Sequence, residues 1–400
     1  MSLFFNTKAL LSLKIFIHQK KYFATAFFFS CFSLVFSTWV TYIPYVADKL
    51  GITEGKIGGA LFFASIGSFS MIPLNNWLVD KLGVGRMSFY AVCLYPLAGM
   101  APLFANSYAQ LCAGLFVFGM AGCTMAISIN SLIATVEKND KVYIMTGSHG
   151  FFSIGGMIGA LSGSFIAAAF HSPLLHMAIL GAILVLIQFY LKGQYYHIKG
   201  EHIPKEKRSL NNMKPLVIIA IIGLIFMVSE GAIADWSALY LKKIVKVNLA
   251  YIGFGYAGFS AAMTVGRFFG DWISKKLGSW QLITTGSLLS LLGFSLVLLP
   301  YAATSLAGFT IIGLGFSAIV PEVFRMASKV EGVKTNDGVS LIAATTNIGF
   351  LVGPVLLGFL AELRTLHFSF LILGCFVAIA FAISATNQYI LRKQSIKIND

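Results

Sequence analysis

Long apolar runs, separated by short polar connections, follow one another along almost the whole chain. Each run is close to or above the roughly 20 residues that an α-helix needs to cross a bilayer. Connections of only two or three residues, at 106–107 and 171–173, leave room only for antiparallel neighbouring helices. The pattern predicts an all-α integral membrane protein with twelve transmembrane helices in two six-helix halves. The predicted spans are 22–47, 56–79, 87–105, 108–136, 144–170, 174–193, 215–241, 250–274, 280–301, 305–328, 337–362 and 367–391.

The longest polar connection, residues 194–214, separates the first six spans from the last six. We therefore predict an N-terminal half at 22–193, a cytoplasmic linker at 194–214 and a C-terminal half at 215–391. Residues 1–21 mix Phe and Leu with lysines and have no small-residue cleavage site before the next apolar run. This pattern favours an amphipathic segment at the cytoplasmic membrane surface over a signal peptide. Residues 392–400 form a predicted cytoplasmic tail.

The two halves resemble one another in sequence. Residues 75–83 (NNWLVDKLG) align with residues 270–278 (GDWISKKLG) at an offset of 195 positions. The same offset pairs Tyr45 with Tyr240, Ile57 with Ile252, Gly58 with Gly253, and Ser65 with Ser260. A duplicated six-span unit predicts a cavity between the halves and alternating access by rocking.

Composition and charge agree with a membrane protein. Hydrophobic residues make up 57% of the chain, charged residues 11%, and the mean hydropathy is +0.82. The net charge of +14 comes mostly from residues in the short connections, which favours the lipid surface as partner over nucleic acid. With a cytoplasmic amino terminus, inner segments hold 22 Lys and Arg residues and outer loops 6, so both termini are predicted to be cytoplasmic.

Motifs for enzyme chemistry are missing from the sequence. The five cysteines have no CxxC or Cys/His ligand spacing, which makes a disulfide framework or a metal site improbable. There is no phosphate-binding loop and no nucleophile elbow, so neither ATP-driven transport nor hydrolysis has visible machinery. We expect no enzyme activity and no cofactor.

Two carboxylates lie inside the apolar segment 215–241, in the stretch Glu230–Trp236 (EGAIADW). A charged residue at such depth costs about 2.5 to 3.5 kcal/mol even on the lenient insertion scale, and it marks a functional site by default. Glu230 lies about 3 Å from the predicted midplane by helical rise, and Asp235 lies about 10 Å towards the outside. Burial favours the neutral form of a carboxyl group, which suits a proton carrier. We predict Glu230 and Asp235 as proton-coupling residues, with a permanent ion pair at Glu230 or a helix-end role for Asp235 as alternatives.

Other polar residues of the spans are candidates for substrate contact and gating. Aromatic and amide side chains suit a small polar solute such as a sugar. The predicted substrate contacts are Trp39, Tyr42, Asn130, Trp236 and Asn347. Trp39 and Tyr42 also fit an interfacial aromatic belt. Arg267 and Asp271 share one helix face at i,i+4 spacing and form either a gate pair or a static bridge.

Several segments resemble the major facilitator superfamily. The connection at 76–86 (NWLVDKLGVGR) keeps Leu78, Asp80, a basic residue and Gly83 of the family's motif between its second and third spans. The stretches 230–240, 266–271 (GRFFGD) and 349–354 (GFLVGP) look like a bacterial inner-membrane branch often described as fucose-permease-like. The resemblance implies a bacterial inner-membrane location and a cytoplasmic gate that includes Asp80, Lys81 and Arg86. It also implies contact of this loop with the eleventh span near Asp337.

The chain departs from that branch in its charges. Tyr42 stands where the branch tends to carry Arg, and Ala126 stands where it tends to carry Asp, so the pocket is expected to be less charged. We expect a monomeric, proton-coupled secondary transporter of a small polar solute, whose partners are the solute, the coupling ion and the lipid bilayer. An efflux antiporter for apolar compounds is one alternative. A non-transporting receptor or assembly factor with the same fold is another.

Overall fold

A computed structural model describes residues 15–142, 144–170, 172–200, 214–330, 333 and 335–399. Thirteen helices, labelled here in chain order, account for nearly all of these residues, and no strand occurs among them. In the first half they are α1 (Lys20–Leu50), α2 (Glu54–Leu82), α3 (Val84–Phe104), α4 (Tyr108–Asp140), α5 (Met145–Phe170) and α6 (Pro173–Leu191). In the second half they are α7 (Val217–Tyr240), α8 (Phe254–Leu277), α9 (Ser279–Val297), α10 (Ala302–Phe316), α11 (Ile319–Ala327), α12 (Thr335–Leu363) and α13 (Leu366–Asn399).

Eleven helical stretches in the described ranges are long and apolar enough to cross a membrane. The twelfth span is α8, which has 24 residues but carries four charged ones, Arg267, Asp271, Lys275 and Lys276. Its charges explain its lower hydropathy and do not shorten it, because 24 residues extend over about 36 Å. The structure thus has the predicted all-α architecture of twelve spans.

Some predicted boundaries differ from the structure. The span predicted at 305–328 is divided into α10 and α11 by a turn at Ser317 and Ala318. The last helix, α13, continues to Asn399, through most of the segment predicted as a tail. Residues 1–14 and most of the predicted linker, 201–213, lie outside the described residues. Of the amino-terminal segment, Ile15–His18 is helical and Phe16 is buried beside Phe151, with ring centroids 5.3 Å apart.

The chain forms two compact units. The first comprises residues 1–52, 60–204 and 249–253, and the second comprises 53–59, 205–248 and 254–400. In the first unit, α1 packs along α5, and α3 packs against α4 and α6. In the second, α7 packs along α12, and α9 packs against α10 and α13. In each unit, therefore, the first span packs along the fifth, and the third span packs against the fourth and the sixth.

Small residues make these pairings close. A Cβ atom at Gly155 or Gly159 of α5 would overlap the α1 backbone at Ser30 or Leu34. In the second unit, a Cβ at Gly353 of α12 would overlap the α7 carbonyl of Val228. Helix association in lipid relies on such close approach because the lipid removes the hydrophobic driving force. Gly155 and Gly159 are therefore helix contacts.

Candidate functional site

Glu230 and Arg267 lie near the middle of two neighbouring antiparallel helices of the second unit. Glu230 lies 13 residues after the first and 10 before the last residue of α7, and Arg267 has the same position in α8. Each lies near the middle of its span, because both helices have 24 residues. Both charges therefore lie well inside their spans.

The two side chains face each other at the limit of an ion pair. A guanidinium nitrogen of Arg267 lies 3.8 Å from a carboxylate oxygen of Glu230, and the side chains are 24% and 16% exposed. This separation is too long for a hydrogen bond, so the contact is electrostatic and leaves the Glu230 oxygen able to accept another donor. The side chain of Asp271, the predicted partner of Arg267, is outside the described residues. The gate pair Arg267–Asp271 therefore stays a prediction.

Tyr256 adds a hydroxyl group to this pair. It lies on α8 close enough to Glu230, Asp235 and Arg267 to interact electrostatically with all three, and its hydroxyl lies near Ser260. Tyr256, Ser260 and Arg267 follow one another at intervals of four and seven residues, which places them on one face of the helix. Sequence analysis missed Tyr256, although this spacing from Arg267 was visible in the chain.

Asp235 has a different environment from Glu230. Every residue from Gly231 to Leu241 is buried, so the outer half of α7 is enclosed on all sides. Asp235 is only 7% exposed, and its Oδ1 atom has no hydrogen-bond partner within the described part of the chain. The two predicted coupling residues are thus distinct: Glu230 faces a cation, and Asp235 keeps an unsatisfied oxygen in a closed environment.

Three predicted substrate contacts are packed inside their own units. Trp39 packs edge-on against Phe118, and the Tyr42 hydroxyl lies 2.7 Å from Nδ1 of His176 on α6. The indole N–H of Trp236 donates to the Pro354 carbonyl of α12 at 3.0 Å. All three side chains are buried and, for Tyr42 and Trp236, already hydrogen-bonded. Substrate contact at these positions stays a prediction that this arrangement does not favour.

The two predicted amides are more accessible. Asn130 on α4 is half-buried and donates to the Ala126 carbonyl one turn earlier, at 2.8 Å. Asn347 on α12 is exposed. Since α12 packs along α7, Asn347 belongs to the same pair of helices as Glu230.

The predicted gate residues Asp80, Lys81 and Arg86 are exposed at the junction of α2 and α3. The Lys81 ammonium lies 4.9 Å from the centre of the Trp77 ring, and the Arg86 guanidinium lies 5.6 Å from that of Tyr196. Both cations stack on aromatic rings of the first unit. A gating role for the three residues stays a prediction.

A pair of tyrosine–histidine contacts recurs in both units and was not anticipated. Tyr240 on α7 donates to the Val297 carbonyl at 2.8 Å and lies 3.1 Å from Nδ1 of His367 on α13. Since its single hydroxyl hydrogen is used by Val297, the His367 nitrogen must donate to it. Tyr42 and His176 form the corresponding contact in the first unit. By its burial and its histidine contact, Tyr240 therefore corresponds to Tyr42. The sequence offset had paired Tyr240 with Tyr45, which lies one turn away and is 40% exposed.

The described residues contain no group of three or more His, Cys, Asp or Glu side chains that could hold a metal ion. The chemistry available in the second unit is instead that of one carboxylate opposite one guanidinium, with a phenol and a second carboxylate nearby. Charged residues at mid-span of a polytopic helical membrane protein are typical of membrane transport proteins.

Comparison with known proteins gives the family. The model of the Major Facilitator Superfamily matches residues 23–330, so the chain belongs to that family. It is 28% identical to an MFS-type transporter of Yersinia pestis over 369 residues, covering 92% of this chain and 94% of the relative. It is 30% identical to the membrane protein MosC of Rhizobium meliloti over 343 residues, covering 85% and 83%.

The fold also matches a solved structure. A crystal structure of a point mutant of the nucleoside transporter NupG superposes with a TM-score of 0.72 at 17% identity, covering 92% of this chain and 99% of NupG. The predicted family and the twelve-span fold are confirmed. The protein is a multi-pass membrane protein of a transporter family, and its relatives are transporters, not enzymes.

Proposed function

We propose that this protein is a proton-coupled secondary transporter of a small polar solute, with Glu230 as the coupling residue and Arg267 as its switchable partner. The observation that carries the proposal is the 3.8 Å approach of these two side chains at the middle of α7 and α8. Because the contact is not a hydrogen bond, electrostatic attraction is what joins Glu230 to Arg267. A proton on Glu230 would cancel its charge and remove this attraction.

The size of this effect supports a coupling role. Two unit charges 3.8 Å apart attract by roughly 4 kcal/mol at an effective dielectric constant of about 20. Protonation of Glu230 removes that attraction, and each 1.4 kcal/mol changes an equilibrium about tenfold. By this attraction alone, one proton shifts the balance between two conformations by about a thousandfold, and the cost of desolvating the two groups reduces the net effect.

The same residues suit a polar solute. Arg267 carries N–H donors, Tyr256 a hydroxyl and Asn347 an amide. Solutes with hydroxyl or carbonyl acceptors, such as sugars and nucleosides, match this set. We further propose alternating access by the two halves, a bacterial inner-membrane location with both termini in the cytoplasm, and a monomeric transporter.

The test begins with a thermal-shift screen of the purified protein against sugars, nucleosides, amino acids, organic acids and apolar drugs. A ligand that binds only the folded state stabilises it. The solute found is then radiolabelled and used in proteoliposomes with Glu230→Gln and, as a conservative control, Glu230→Asp. We expect Glu230→Gln to keep solute exchange between the two sides but to lose accumulation driven by a pH gradient. The aspartate should keep part of that accumulation.

Three results would contradict the proposal in different ways. Full pH-driven accumulation by Glu230→Gln would remove Glu230 from the coupling step. Binding of a solute without any exchange across the membrane would favour a non-transporting receptor. Stabilisation by apolar drugs alone, with proton-driven export, would favour the efflux antiporter.

A further inference from the structure

An apolar groove runs along the outside of α3 in the first unit. It encloses about 540 Å³ and is lined by three residues of α2, seven of α3 and four of α4. Among its lining side chains only Tyr90 and Thr124 carry a polar atom. Small residues such as Ala91 and Ala98 form its buried floor, while Leu94 and Leu97 project beside it.

The groove opens towards lipid and has the length of an acyl chain. Leu94 and Leu97 are 57% and 62% exposed on a helix that crosses the membrane. The lining residues of α3 extend from Met87 to Ala101, which is about 21 Å of helix. One leaflet contributes about half of the roughly 30 Å hydrocarbon core, so a whole chain of one leaflet can lie in the groove.

One end of the groove carries cations held by aromatic rings. The Tyr90 hydroxyl lies 3.2 Å from that of Tyr196, and Arg86 stacks on the Tyr196 ring. Lys81, which adjoins the lining residue Leu82, stacks on Trp77. A Cβ at Gly83 would lie 3.5 Å from the backbone of Lys199, so a third cation belongs to this end. Asp80 is the adjoining carboxylate and offsets only one of these charges.

The second repeat shows that the fold does not require this arrangement. The offset of 195 residues places Gln281 at the position of Arg86 and Thr285 at that of Tyr90. Arg86 and Tyr90 are therefore specific to the first repeat, whereas Trp77 and Lys81 have Trp272 and Lys276 as their counterparts.

We propose that the groove binds one acyl chain of an anionic phospholipid, whose phosphate group is held by Arg86 and Lys81. A guanidinium binds a phosphate with two parallel hydrogen bonds, and aromatic residues are typical of the headgroup level. The neighbouring lysines add attraction for a negatively charged lipid surface. The combination of a chain-length groove with cations at one end selects an anionic phospholipid over a neutral one.

The experiment measures the melting temperature of the full-length protein in detergent as phosphatidylglycerol or phosphatidylcholine is added. We expect saturable stabilisation by phosphatidylglycerol and little by phosphatidylcholine. Arg86→Gln should raise the half-saturating concentration of phosphatidylglycerol about fivefold, since one cation near a lipid surface contributes that factor to the affinity. Lys275→Gln removes one exposed positive charge at the equivalent junction of the second repeat. It should leave the half-saturating concentration of phosphatidylglycerol unchanged.

A second pair of variants tests the groove itself. Ala101→Phe or Ala121→Phe should fill it and abolish the response to phosphatidylglycerol, while Ala169→Phe at an exposed position of α5 should leave the response intact. Each variant is used only if its melting temperature without lipid equals that of the wild type, and two filling variants are available in case one does not fold.

Four outcomes would overturn the proposal. These are equal stabilisation by phosphatidylcholine, equal stabilisation by inorganic phosphate, an unchanged response in both filled variants, and a dimer of the wild type that the filled variants convert to a monomer. The last result would make the groove an interface between two copies of the chain.

Discussion

Asp235 lowers the stability of the outer half of α7, because one of its oxygens is buried without a hydrogen-bond partner among the described residues. Its Oδ1 atom and the Oγ atom of Ser237 are both buried without a hydrogen-bond partner in the described ranges. An unsatisfied buried polar atom costs about 1 to 3 kcal/mol. Residues that reduce stability in this way are found where function needs them, because selection for activity retains them.

We expect Asp235→Leu to raise the melting temperature in detergent and to reduce transport, because it removes the unsatisfied carboxylate together with its chemistry. Ser237→Ala is the matched control two residues away. It removes an equally buried unsatisfied oxygen and should raise the melting temperature slightly without changing transport. A destabilised Asp235→Leu protein would show that the carboxylate has a structural partner.

At the scale of elements, two glycines set the junctions that the repeats share. Gly83 between α2 and α3 has φ 81° and ψ 153°, and Gly278 between α8 and α9 has φ 83° and ψ 161°. This region of backbone conformation is accessible essentially to glycine alone. The aligned sequences around these residues therefore reflect one tight connection used twice.

Gly83→Ala and Gly278→Ala should each lower the stability by about 1 to 3 kcal/mol through backbone strain. At Gly278 no atom lies within 4 Å of the added Cβ, so the loss there reports the backbone alone. Gly193→Ala is the control, since its Cβ also meets open space and its φ is not positive. Equal melting temperatures for Gly278→Ala and Gly193→Ala would refute the strain argument.

At the scale of the whole molecule, the units exchange short segments of chain. Residues 53–59 open α2 and belong to the second unit, although the rest of α2 belongs to the first. There Glu54 pairs with Lys243 at 2.7 Å, and the Gly55 amide donates to Glu362 at 3.0 Å. Gly58 packs so closely on α12 that its Cβ would lie 2.7 Å from Gly358. All these contacts lie within the second unit, and we expect any motion that withdraws the start of α2 from that unit to break them.

Lys243→Glu should therefore change the transport rate, but only up to about fivefold, because exposed ion pairs contribute about 0.2 to 1 kcal/mol. The double variant Glu54→Lys/Lys243→Glu, in which the two charges are exchanged, should restore the rate. Lys246→Glu, an equal charge change in the same connection, is the control. Failure of the exchanged pair to recover would mean that the pairing itself does not matter.

The sequence by itself determined the helices, their number and the repeat. Long apolar runs must become helices in lipid, since every backbone N–H and C=O group needs an internal partner there. Closely packed glycines were also readable, because residues such as Gly155 and Gly159 recur at helical spacing in a span. The family followed from the motifs around Asp80 and Glu230, which are local.

The tertiary structure alone decided which side chains meet. A span that is apolar all round has no amphipathic stripe, so its rotation about its own axis is not encoded in the hydrophobic pattern. For that reason the sequence could place Glu230 near mid-depth and Arg267 inside its span but could not pair them. It could not show that Trp39, Tyr42 and Trp236 turn into the packing, or that Asp235 is enclosed without a partner. These outcomes depend on contacts between helices that are far apart in the chain.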